Sequence, residues 1–198
     1  MKQQIKNLRD YAELAWASYF NLIYIDGQKT NDFTIGTERI LKDKENIEYI
    51  IVGNNFFGTS SEDTYIKKLK DSAKGLENKI HFTGYIENKK LYKIYSVSDV
   101  VVIPTQVEET FSVVALEAMA MGLPVIASNS GGLPEVLSDK CAEFIKRDKD
   151  FVNNLSKEID NLAENKELRE KMGKAGKKRS KLFPNSAMDY YFALDKII

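Results

Sequence analysis

Two glutamates, Glu109 and Glu117, stand eight positions apart in the run Asp99-Val-Val-Val-Ile-Pro-Thr-Gln-Val-Glu-Glu-Thr-Phe-Ser-Val-Val-Ala-Leu-Glu-Ala-Met-Ala-Met-Gly-Leu-Pro-Val-Ile-Ala. An ionised carboxylate accepts two hydrogen bonds at once, which suits a vicinal diol. The pattern between them predicts a helix over Thr110–Met121. Its first N–H groups, near Phe111, Ser112 and Val113, have no partner within the helix, and added to the helix dipole they favour a phosphate. Carboxylates repel phosphate, so the partners of Glu109 and Glu117 are hydroxyl groups flanking it. Sugar hydroxyls on one side and ribose hydroxyls on the other describe a nucleotide sugar. A plainer arrangement fits the same spacing, with Glu108-Glu109 as a solvated acidic turn and Glu117 facing solvent. Against it, Glu117 shares a helical stripe with Val113, Val114 and Met121, where a carboxylate needs a reason.

The elements that must position these residues alternate strand and helix. Val100–Ile103 and Pro124–Ala127 are runs rich in β-branched residues, as in strands covered on both faces. Further strands are expected at Leu22–Ile25, Ile47–Val52, Lys79–Gly84 and, edge-like, Cys141–Ile145. Helices are expected over about 3–20, 37–44, 63–74, 88–98, 148–164, 166–181 and 185–198. The fold class is α/β: a Rossmann-like parallel sheet with helices on both faces and right-handed crossovers. The loop after the first strand, Gly27-Gln-Lys-Thr-Asn-Asp, stands where such a loop meets a phosphate, here through Gly27 and Lys29, but it spells neither a dinucleotide fingerprint nor a Walker loop and equally reads as a turn into the helix at 37–44. Gly53 ends the second strand, where a glycine allows close backbone approach. Thr105 lies in the loop that carries Glu109, and Gly131-Gly132 brings a second turn to the same edge. His81, the only histidine, sits mid-strand without an acid beside it and reads as a packing residue.

Bulk properties narrow the class. The 198 residues fit one ordinary domain, read here as 1–198 with 148–198 as a helical extension. Twenty-nine basic and twenty-nine acidic residues cancel, so nothing global argues for nucleic acid. A lone Cys141 rules out an internal disulfide and fits a reducing, cytoplasmic setting. No apolar run approaches the roughly 20 residues of a membrane helix.

The run from Glu109 to Ala127, followed by Gly131-Gly-Leu-Pro-Glu135, resembles the signature of retaining GT-B glycosyltransferases. It is most similar to the group 1, family 4-like branch that includes bacterial capsule, lipopolysaccharide and exopolysaccharide transferases. Weaker agreement extends from Ile47 through Ile80–Ile86 and Tyr95–Val100 to about Ser180. The resemblance implies a C-terminal, donor-binding domain. Glu117 would hold the ribose hydroxyls, and Glu109, as the catalytic residue, would hold hydroxyls of the transferred sugar. Backbone at Phe111, Ser112 and Val113 would bind the diphosphate, and backbone near Tyr85 and Ile86 the base. The implied donor is a UDP- or GDP-sugar, without a metal, since protein donors neutralise the leaving diphosphate. The implied acceptor is a glycan or a lipid-linked sugar.

The pattern departs from the family in three ways. Thr110 and Ser112 stand where Pro and Gly are usual. The Arg and Lys that normally follow the first strand are missing, leaving Lys29 as the nearby cation. The acceptor-binding N-terminal domain is expected in cis or in trans. Two alternatives stay open: a non-catalytic nucleotide-sugar-binding or partner subunit, and a UDP-sugar 2-epimerase, for which further acid/base residues are not identifiable. Finally, Lys166–Lys181 carries eight cations against Glu167 and Glu170. That helix is either a solvated face or a peripheral contact with anionic lipid at the inner face of the membrane.

Overall fold

The computed structural model describes residues 21–25, 47–53, 67, 69–71 and 73–183. The helices expected over 3–20, 37–44 and 185–198, and the loop with Gly27 and Lys29, lie outside the described residues. The elements are β1 (Asn21–Ile25), β2 (Glu48–Val52), β3 (Ile80–Gly84), α1 (Asn88–Ser96), β4 (Val100–Ile103), α2 (Val113–Met121), β5 (Val125–Ser128), α3 (Leu133–Val136), β6 (Ala142–Ile145), α4 (Phe151–Glu164) and α5 (Lys166–Ser180). They form one six-stranded sheet in the order β3-β2-β1-β4-β5-β6.

Strand residues alternate between two cores, which is what near-continuous apolar runs require. Tyr49, Ile51, Val100, Val102, Ile126 and Ile145 face Phe151, Leu155, Ile159 and Leu162 of α4 and Met172 of α5. On the other side, Ile50, Val52, Val101, Ile103, Val125 and Ala127 meet Ile94 and Tyr95 of α1 and Ala115, Ala118 and Met119 of α2. The expected α/β class with helices on both faces therefore holds.

One strand departs from the expected parallel sheet. β2–β3, β4–β5 and β5–β6 pair in parallel, but β1 is antiparallel to both its neighbours. Ile25 lies opposite Glu48 and Tyr24 opposite Val100, so β1 ends at the amino-terminal edge of the other strands. An apolar run specifies burial on two faces but carries no direction, which is why the sequence did not disclose the reversal.

The helix bearing Glu117 is held from three sides. Ala115, Ala118 and Met119 pack on the sheet. Tyr95 of α1 reaches Glu117. Behind, a Cβ on Gly173 would lie 2.0 Å from Gly122 O, and one on Gly176 3.4 Å from Met119 Cγ, so the glycines of α5 permit backbone-close packing on α2. Gly122 ends α2 at φ 77, its N–H donating to the Ala118 and Met119 carbonyls, a left-handed cap that glycine adopts freely. Buried Arg169 ties α4 and α5 by donating to the carbonyls of Leu162 at 2.6 Å and Ala163 at 2.8 Å.

Candidate functional site

The carboxyl edge of the parallel strands carries the segment 104–112, and the carbonyls of Gln106, Val107 and Glu109 in it are fastened from outside the segment. Ser130 Oγ donates to Val107 O at 2.6 Å, and Gly132 N–H donates to Glu109 O at 2.7 Å. Arg147 Nη1 donates to Gln106 O at 2.9 Å while its other nitrogen pairs with the Glu108 carboxylate. The two glycines make this possible. A Cβ on Gly131 would sit 2.1 Å from Glu109 O, and one on Gly132 2.1 Å from Thr110 O. Gly131-Gly132 is therefore the floor against which the Glu109 loop rests.

The adjacent acids divide their work. Glu108 is exposed and bound to Arg147, whose hydrogen bond holds its carboxyl below the usual carboxylate range. Glu109 is half-buried, and its carboxylate makes no hydrogen bond or ion pair to any described residue. Glu108 keeps the exposure of the plainer arrangement but is paired with Arg147. The backbone of the loop is clamped while one carboxylate stays available.

α2 begins at Val113 rather than at the expected Thr110. The reason is Ser112, which adopts φ 57, ψ 87 and caps the helix by accepting from Ala115 N at 3.4 Å. Left-handed geometry at a non-glycine residue stops helical propagation and turns the chain. Leu116 N donates to Ser112 O. The amides of residues 111–114 donate to no described backbone carbonyl, leaving a set of N–H donors at the positive end of the helix dipole. Phe111 and Val113 are exposed there, and Phe111 packs edge-on against Phe183, ring centres 6.0 Å apart.

Glu117, one turn beyond Val113, is half-buried and accepts a hydrogen bond from Tyr95 Oη at 2.8 Å. It does not simply face solvent. Tyr95 is buried, and burial followed by the Glu117 charge raises its phenol far above the ordinary value, so it remains a donor. Tyr85 and Ile86 follow β3 at the same edge, Tyr85 exposed and Ile86 half-buried. Gly53, at φ 128, continues β2 by donating to Gly84 O at 3.1 Å; its amide is spent on the sheet. Thr105 Oγ1 exchanges long 3.4 Å contacts with Val107 within its own turn.

The structure thus gathers Thr105, Glu109, Phe111, Ser112, Val113 and Glu117 into one segment, and sets Gly53, Tyr85 and Ile86 at the ends of β2 and β3. Tyr95, Ser130 and Arg147 were not anticipated as parts of it. Tyr95 carried the signal of an inward helical residue only, and nothing in the local sequence links Arg147 to a loop 39 residues away. His81 pairs with Glu48, Nε2 to Oε2 3.0 Å, so an acid does stand beside it, on the neighbouring strand. Among the described residues, no group of His, Cys, Asp and Glu side chains could hold a metal ion.

A sheet of this order, covered on both faces, with a clamped Glu-x7-Glu helix start at its carboxyl edge, has the architecture of the C-terminal half of a GT-B glycosyltransferase. Residues 36–179 match the family described as glycosyl transferases group 1, and the chain belongs to that family. It is 29% identical over 141 residues to spore coat protein SA of Bacillus subtilis, covering 71% of this chain and 37% of that protein. It is 36% identical over 97 residues to the lipopolysaccharide 1,2-N-acetylglucosaminetransferase of Salmonella typhimurium, covering 48% of this chain and 26% of that enzyme. Among solved structures, sucrose-phosphate synthase from Thermosynechococcus elongatus superposes with a TM-score of 0.62 at 26% identity, covering 75% of this chain and 39% of the other. HepE of Anabaena in complex with UDP shares the fold, with a TM-score of 0.64 at 21% identity over 75% of this chain and 40% of its own. The chain spans less than two fifths of the length of these two curated relatives.

Proposed function

We propose that this chain is the donor-binding part of a retaining glycosyltransferase that moves a sugar from a UDP- or GDP-sugar to a glycan or lipid-linked acceptor. The observation that carries the proposal is a carboxylate, Glu109, that has no partner among the described residues and stands beside open amides at the start of α2. In this reading Glu117 binds the ribose diol, the amides of Phe111, Ser112 and Val113 bind the diphosphate, and backbone at Tyr85 and Ile86 contacts the base. Thr105 and Gly53 shape the walls. Glu109 accepts hydrogen bonds from the sugar.

The bond that breaks joins the anomeric carbon to the diphosphate oxygen, and its electron pair leaves with the diphosphate. The helix-start amides stabilise that growing charge without a metal, and the Glu109 carboxylate stabilises the positive charge that develops on the sugar. The clamp by Ser130, Gly132 and Arg147 keeps Glu109 in place before the reaction begins, which is the form electrostatic catalysis takes. An acceptor-binding half, in cis or in trans, closes over Glu109.

A second reading, a non-catalytic nucleotide-sugar-binding subunit, is favoured by one observation. β1 ends at the amino-terminal edge of its neighbours, opposite the helix start, and the Arg and Lys usual after that strand are missing from the sequence. The two readings separate on Glu109. Paired with its acceptor half, the Glu109→Ala chain should bind UDP or GDP as wild type does and lose turnover by at least about a hundredfold. Turnover that survives Glu109→Ala overturns the catalytic assignment.

The exposed lysines of α5 (Lys166, Lys171, Lys174, Lys177 and Lys178), with Lys181 just after it, support a peripheral contact with anionic lipid. Arg169 and Arg179 do not contribute to that face. Arg169 is buried, and Arg179 donates to the carbonyls of Glu135 and Val136. Among the described residues no helix is long and apolar enough to cross a membrane.

A further inference from the structure

We infer that Tyr95 is the positioning residue of the donor site, fixing the Glu117 carboxylate in the one orientation that grips a 2′,3′-diol. The inference rests on the reading of Glu117 as the ribose ligand and adds the group that makes it selective. A glutamate carboxylate rotates about its last torsion over a broad, nearly two-fold profile. On an exposed helix face both oxygens would sweep through many directions. Here Oε2 is fixed by the phenol at 2.8 Å. The phenol cannot follow the carboxylate, because its ring is buried in the core that also holds Ile94, Ala115 and Ala118. The tether crosses from α1 to α2, so the carboxylate is aligned against both helices at once.

The chemistry assigns the direction of each bond. An ionised carboxylate only accepts, so Tyr95 must donate. One oxygen keeps all its lone pairs and the other keeps part of its capacity, enough to receive two neighbouring hydroxyls. A ligand with a single hydroxyl there gains less from the alignment. Tyr95 therefore acts on discrimination between ribose and 2′-deoxyribose more than on affinity as such, and it does so without touching the ligand.

The test is calorimetric titration of the 198-residue chain with UDP and GDP, each beside its 2′-deoxy form. Four proteins are compared: wild type, Tyr95→Phe, Glu117→Ala and the double variant. Phenylalanine keeps the buried ring, and the melting temperature of each variant checks that the fold is retained. Wild type should prefer the ribonucleotide. Tyr95→Phe should lose about three- to tenfold in ribonucleotide affinity, in line with one hydrogen bond to a charged group acting indirectly, and little toward the deoxy form. In the Glu117→Ala background the same substitution should change neither affinity. If wild type discriminates and Tyr95→Phe discriminates equally well, the inference fails while the ribose reading of Glu117 stands. Equal weakening toward both nucleotides, or weakening that persists without Glu117, marks a packing role and overturns it. A wild type that binds both forms equally, or neither, overturns the ribose reading and the inference with it.

Discussion

Gly132→Ala tests how the site is built. Gly132 has φ −77, a conformation alanine adopts without strain, so the effect is contact alone. Its Cβ would lie 2.1 Å from Thr110 O and 3.1 Å from the carbonyl carbon. Both are backbone atoms, and neither can rotate away. Restoring van der Waals distance requires the two loops to part by more than about 1 Å, which breaks the 2.7 Å hydrogen bond from Gly132 N to Glu109 O. Overpacking of this kind costs about 1–3 kcal/mol and the lost bond about 0.5–1.5 kcal/mol. The more restricted unfolded chain returns about 0.4–1 kcal/mol. The net loss is about 2–3 kcal/mol, or a melting temperature lower by about 5–10 °C for a chain of this size. Differential scanning calorimetry measures it. Gly75→Ala is the control, since Gly75 has φ +84 but open space around it; strain alone should cost about 1 kcal/mol there. A Gly132→Ala protein that melts within about 1 °C of wild type would refute the claim that the glycine turn is the floor of the Glu109 loop.

Other expectations follow from the same contacts. Gly173→Ala places a methyl 2.0 Å from Gly122 O and should loosen α5 from α2, lowering the urea midpoint by an amount equivalent to about 1–3 kcal/mol. Arg169→Met strips the Leu162 and Ala163 carbonyls of a buried donor and should cost about 3 kcal/mol in urea unfolding. Arg147→Met changes the acid limb of stability. Because Arg147 lowers the Glu108 carboxyl in the folded state, its contribution is present above the unfolded glutamate value and is lost as pH falls through the lowered one. The wild-type and Arg147→Met curves should therefore converge at acid pH, and a gap that stays constant across the titration refutes the pairing. At the alkaline end the sign reverses. Tyr95 is held protonated above its ordinary value, so its contribution is present below about pH 10 and lost as pH rises further, and Tyr95→Phe should show a shallower alkaline decline.

The parts of this molecule that repeat or run in order were legible from residue types. Val100–Ile103 and Val125–Ser128 are buried on both faces, as their β-branched composition predicts. Ile94 and Tyr95 face inward, as the helical spacing of α1 requires. Strand polarity is not legible in β1, because the run Asn-Leu-Ile-Tyr-Ile carries no signal of direction. The start of α2 was misplaced by the three residues from Thr110 to Val113, because a serine in left-handed geometry leaves no local signature. The segment around Glu109 was recognisable, but its fastening was not. Arg147 and Ser130 reach it from 39 and 23 residues away, and only the tertiary structure brings them together. The His81–Glu48 pair was missed for the same reason, with its partner 33 residues distant on the adjoining strand. Helical spacing marks Tyr95 as core, which its ring is. Its hydroxyl does the further work on Glu117.

The central claim is that the start of α2, together with Glu117, receives a nucleoside diphosphate. Amide chemical shifts of the isotope-labelled chain, recorded as UDP or GDP is added to millimolar concentration, address it residue by residue. The largest changes should fall on Phe111, Ser112, Val113 and Glu117, with smaller ones at Tyr85 and Ile86, and Glu117→Ala should move the remaining changes to higher nucleotide concentration. Shifts confined to other parts of the sheet, or a spectrum unchanged by both nucleotides, would contradict the account.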